Sequence, residues 1–91
     1  MEHLKEITKQ IWEELADSQK YIKCAEKWNS DMYYELSKEE LEHAKKLHSE
    51  GTDYVEAHKN EDGIAVIWEW ETEKIKDMMR DVMVLQEMYE K

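Results

Sequence analysis

No proline interrupts this 91-residue chain, and its two glycines stand at positions 51 and 63. That constrains the fold more than any other feature. Glu, Lys, Leu and Met dominate the rest, β-branched residues are few, and long unbroken helices follow from such a composition. Three helices are predicted, over about residues 2–28, 31–58 and 64–89. Asn29-Ser30-Asp31 supplies helix-capping residues between the first two. Lys59-Asn60-Glu61-Asp62-Gly63 reads as a turn between the second and third, and Gly51-Thr52-Asp53 as a kink or break within the second. The expected fold is all-α in one domain, an antiparallel helical hairpin followed by a long third helix. So short a chain gains much from oligomerisation.

Each helix carries an apolar stripe at three- and four-residue spacing. The first reads Leu4, Ile7, Ile11, Glu14, Ser18, Tyr21, Ala25, Trp28. The second reads Tyr33, Leu36, Glu40, His43, Leu47. The third, the most regular, reads Ile64, Trp68, Glu71, Ile75, Met78, Val82, Leu85, Tyr89. Glu14, Glu40 and His43 are therefore polar residues at positions expected to face inward. Burying a carboxylate or an imidazole there costs several kcal/mol, on the order of 2–7, unless something pairs with it. A metal ion pairs with all three at once.

The position of the first turn decides whether these residues can meet. Ser37-Lys38-Glu39-Glu40 has the pattern of a capping box and offers a competing helix start near Ser37. A hairpin turning near Asn29 sets Glu14 level with about residue 44, beside His43. A turn near Leu36 would separate Glu14 from His43 by about 20 Å at ~1.5 Å per residue. The Asn29 turn is the one that unites the three within one chain.

Glu-x-x-His places both side chains on one helical face, where they can chelate one ion or let the Glu bridge two. Glu is frequent here, so the motif gains weight only from its position in the stripe. Two carboxylates with one imidazole suit iron, with manganese or zinc as alternatives. Four-helix bundles that hold two irons draw one Glu from each of two helices and Glu-x-x-His from each of the other two. This chain carries half of that set, with no second Glu-x-x-His. A two-fold homodimer supplies the other half and completes a four-helix core.

Glu14, Tyr21 and Ala25, followed by Glu39-Glu40-Leu41-Glu42-His43-Ala44-Lys45, resemble the ligand helices of rubrerythrin-like members of the ferritin-like superfamily. The resemblance covers about residues 14–47. The Glu-Glu-x-Glu-His-Ala string is also similar to the second helix of encapsulated ferritins, half-ferritins that build their di-iron centre across a dimer interface. The resemblance implies Glu14 as the first-helix ligand, Glu40 as the bridging carboxylate, His43 as the terminal imidazole and Tyr21 as a tyrosine near the site. It implies ferroxidase-type oxidation of Fe(II) by dioxygen or peroxide at two irons per dimer interface. The single Cys24 departs from rubrerythrins, which carry a Cys-rich electron-delivery domain. The ending Met88-Tyr89-Glu90-Lys91, directly off a helix, departs from the targeting tail of encapsulated cargo. The connection between the ligand helices is also shorter than in rubrerythrins.

The net charge of −10 argues against nucleic acid and against anionic membranes, which need clustered Lys and Arg. No apolar run approaches membrane length and no signal peptide is evident, so a cytoplasmic protein is expected. Two further readings differ in class: a metal-sequestering module using the same ligands without turnover, and a structural helical oligomer in which the three residues are solvated. Glu71 and Glu50 are read as rim or solvated acids, His48 and His58 as surface residues, Cys24 as a small packing residue, and the methionines as core or interface. Trp68 and Trp70 fall on different faces of the third helix, and one of them is available to another subunit.

Overall fold

The computed structural model describes residues 2–61 and 63–91. It contains three helices of 27 residues each, α1 (Glu2–Trp28), α2 (Asp31–Ala57) and α3 (Ile64–Glu90). At ~1.5 Å per residue each is about 40 Å long, and they lie side by side in a bundle measuring 48 × 18 × 14 Å. Among the described residues there is no strand, and no helix is long and apolar enough to cross a membrane.

The α1–α2 turn takes two residues. Asn29 adopts a left-handed conformation with φ 49°, and the Ser30 amide donates back to the Ala25 carbonyl at 3.0 Å. A left-handed residue followed by a bond from two positions beyond the helix end caps α1. Ser30 then caps α2, its hydroxyl accepting from the Tyr33 amide. The capping-box start at Ser37 is not used: Ser37 lies buried in the middle of α2. The hairpin is antiparallel, and α3 returns alongside α1 after the turn at 58–63. Within that turn Asp62 lies outside the described residues.

α2 is continuous through Gly51, where the sequence predicts a kink. The physical reason lies in α3. The indole of Trp68 rests on Gly51 so closely that an added Cβ would lie 2.3 Å from Trp68 Cη2. The indole N–H donates to Thr52 Oγ1 at 3.2 Å, and Thr52 in turn donates to the His48 carbonyl. Gly51 is thus a space for an aromatic ring rather than a break.

The buried stripe of α1 includes Leu4, Ile7, Ile11, Leu15, Ser18, Ile22 and Ala25. That of α2 includes Tyr34, Ser37, Leu41, Ala44, Gly51 and Val55. Each fully buried Ile, Leu or Val stabilises the fold by roughly 1.5–3 kcal/mol before conformational entropy is counted. The apolar core has two parts, a long one towards the α1 N-terminus and a smaller one around Ile22, Ala25 and Tyr34. Ser18, Ser37 and Gln86 add buried polar groups. Ser18 Oγ donates to the Ser37 carbonyl at 2.7 Å, Ser37 Oγ donates to the Ser18 carbonyl at 2.8 Å, and Gln86 Nε2 lies 3.0 Å from Ser37 Oγ. These small hydroxyls let α1 and α2 approach closely and lock their register.

Candidate metal centre

One turn of α1 beyond the Ser18–Ser37 lock, the hairpin register brings Glu14 opposite Glu40 and His43. His43 Nδ1 lies 3.3 Å from Glu14 Oε2 and 3.5 Å from Glu40 Oε1. One donor atom from each of the three side chains falls within 4.8 Å of the others. The three residues singled out in the sequence are therefore brought together, by a turn of two residues and a pair of serines rather than by the residues themselves.

They are not in the protomer's core. The Glu40 side chain is 19% exposed, that of Glu14 27% and that of His43 61%. The stripe predicted for α2 runs one position off the buried one: Tyr34, Ser37, Leu41 and Ala44 face inward, and Tyr33, Leu36, Glu40 and His43 flank them. The reason is the placement of α3. It reaches α1 through Trp12, whose indole donates to Glu71 at 3.3 Å, and α2 through His48 and Thr52. Helical geometry puts those contacts on one side of the α1–α2 seam and Glu14, Glu40 and His43 on the other, at ~100° per residue. This second flank, with Tyr21, Trp28, Tyr33, Leu36 and Leu47, is not covered by the protomer.

The electrostatics there are unbalanced. The Glu40 carboxyl is pushed up to about 7 from 4.5, first by a hydrogen bond to Glu14 that favours its protonated form, then by burial and by the negative charge of Glu14. Asp17 adds to this and His43 opposes it. Two crowded carboxylates of this kind are relieved by a cation as well as by a proton. Asp17 was not anticipated from the sequence, although its place one turn after Glu14 is a legible signal. Glu35, Lys38, Glu39 and Glu42 line a shallow depression beside His43.

The remaining sequence candidates lie elsewhere. Glu71 accepts the Trp12 hydrogen bond on the α3 side, and Glu50 is exposed. Tyr21 is half-buried and stacks on Tyr33 with ring centroids 6.0 Å apart. His48, expected at the surface, is only partly exposed. It stacks on Trp68 at 5.2 Å, lies 2.9 Å from Thr72 Oγ1, and is held below its usual value by burial and by Lys76. His58 stacks on Tyr54 and bonds the Tyr54 carbonyl at 2.8 Å. Cys24 is a free, partly buried thiol. The chain matches no protein-family model, no curated protein and no solved structure.

Proposed function

We propose that this chain is a ferritin-like di-iron protein that oxidises Fe(II) at a centre shared between two copies. The observation that carries this reading is the convergence of Glu14, Glu40 and His43 within 4.8 Å on a flank the protomer leaves open. Three ligands from one chain make half of the four-carboxylate, two-histidine set that two metals require. A two-fold axis through the open flank places a second Glu14, Glu40 and His43 opposite the first. Tyr21, Tyr33, Leu36 and Leu47, half-buried in one copy, then pack against their equivalents.

The donor set fits iron. Carboxylate oxygen and imidazole nitrogen bind it without thiolate, and four carboxylates balance the charge of two divalent ions. Iron, when bound, supplies the one-electron redox change that passes electrons to dioxygen or peroxide. The chain's own residues do the rest. Glu14 and Glu40 change from sharing a proton to holding a cation, so Glu40 gives up its proton on loading. Leu36 and Leu47 of both copies exclude water from the site's surroundings. Asp17 and the acidic depression beside His43 raise the local cation concentration.

Anaerobic addition of Fe(II) followed by air tests this, with near-ultraviolet absorbance and oxygen uptake as readouts. Saturation at about one iron per chain is expected, with affinity reduced at least ~10-fold in Glu40→Ala. Stoichiometric binding with no oxygen consumption would assign the site to metal sequestration. Equal behaviour of wild type and Glu40→Ala would remove the site altogether.

A further inference from the structure

The metal centre leaves the outside of α3 unexplained. Val66, Trp70, Val84 and Met88 are large apolar side chains at the surface, with Trp70 62% exposed. At ~100° per residue they fall within about 40° of one another, directly opposite the buried Ile64, Trp68, Ile75 and Val82. α3 is therefore apolar on two faces, and the protomer covers one.

The pattern on the uncovered face is symmetric along the helix. Val66 and Met88 are equidistant from Asp77, and so are Trp70 and Val84. The charges between them follow the same rule. The three basic residues of α3, Lys74, Lys76 and Arg80, all lie in its middle. Lys74 and Asp81 stand on one edge of the apolar stripe, Glu73 and Arg80 on the other. Among the described residues Glu73, Lys74 and Asp81 make no ion pair, and Arg80 pairs with Asp77 at 2.9 Å.

We infer that this face docks the same face of α3 from a second copy of the chain, antiparallel about a two-fold axis at Asp77. An antiparallel two-fold keeps each edge of the stripe beside the same edge of the partner helix. One edge then sets Lys74 against Asp81 of the second copy, and the other sets Glu73 against Arg80, each pair occurring twice. At the ends Trp70 meets Val84, and Val66 meets Met88. A parallel two-fold would instead set each edge beside the other one, Lys74 against Glu73 and Asp81 against Arg80, so the charges fit a second copy in either direction. The antiparallel arrangement also opposes the two helix dipoles favourably. The tryptophans supply affinity and the charged waist supplies complementary pairs. The Asp77 carboxylates that meet at the axis arrive already paired to their own Arg80. This interface is separate from the metal-bearing flank, and it holds whether or not that flank binds iron.

Sedimentation velocity on the full chain and on Trp70→Glu tests the docking. The substitution is expected to halve the assembly mass and to leave helicity and metal binding unchanged. Orientation is read from disulfide trapping of Lys74→Cys mixed with Asp81→Cys, both carrying Cys24→Ser. Antiparallel pairing gives the mixed disulfide in preference to either homodimer. Lys74→Glu is expected to weaken association by about tenfold, since the two-fold repeats each lost pair, and adding Asp81→Lys is expected to restore it. A wild-type chain that sediments no larger than Trp70→Glu overturns the proposal and leaves the face to a different partner. Preferential trapping of Lys74→Cys with Glu73→Cys instead overturns the antiparallel arrangement.

Discussion

At Glu40, folding tightens the hold on a proton. The folded chain holds this carboxyl protonated up to about 7, whereas the unfolded chain releases the proton near 4.5. The folded state thus binds more protons between those values, and stability falls as pH rises from 4.5 to 7. Below 4.5 the contribution is fully present, and above about 7 it is lost. His48 acts in the opposite sense. Its depressed value costs stability as pH falls below 6.5, so the wild type alone mixes the two trends. The melting temperature of wild type minus that of Glu40→Gln, measured from pH 4 to 8, isolates the first. Without metal the difference is expected to decline across the window, and saturating divalent metal is expected to remove the decline. A flat metal-free difference would mean that Glu14 and Glu40 do not share a proton. That Glu14, Glu40 and His43 meet was legible in the sequence, because Glu-x-x-His and its level partner depend on helical spacing alone. Their exposure was not legible, because it depends on which side of the seam α3 occupies.

At the scale of the elements, the helix ends follow the sequence closely and the interior of α2 does not. Asn29 and Ser30 act on their own neighbours, so the hairpin turn is a local property. Gly51 is decided by Trp68, 17 positions away, whose ring fills the space a side chain would take. Gly51→Ala weighs two effects against each other. Helix propensity favours alanine by about 1 kcal/mol. A methyl placed 2.3 Å from a packed indole carbon forces the ring or the helix to move, and overpacking of this kind costs roughly 1–3 kcal/mol. The clash wins or breaks even, so the melting temperature is expected to fall or hold in thermal denaturation. A clear rise would show that Trp68 has room to retreat. The Trp68 indole donates to Thr52 and stacks on His48, two contacts that hold it against α2.

At the scale of the whole molecule, two uncovered faces lie on either side of a thin bundle. One carries Glu14, Glu40 and His43 among half-buried aromatic and aliphatic side chains, and the other carries the Trp70 stripe of α3. If the first is completed by a second copy, a residue with no ligand atom should matter to metal binding. Leu36→Asp is expected to abolish high-affinity binding although Glu14, Glu40 and His43 remain intact. Calorimetric titration with Fe(II) or Zn(II), read beside the assembly mass, checks this. Unchanged binding by a species of half the mass would mean that one copy suffices. By itself the sequence determined the three helices, their ends and the level at which the polar residues meet, because turns, caps and helical rise act over a few residues. The tertiary structure decided which stripes are core, why Gly51 lies in an unbroken helix, that His48 is partly buried against Trp68, and that Glu14, Glu40 and His43 stand on an open flank. Those outcomes depend on where α3 packs, and that is settled by contacts between residues far apart in the chain.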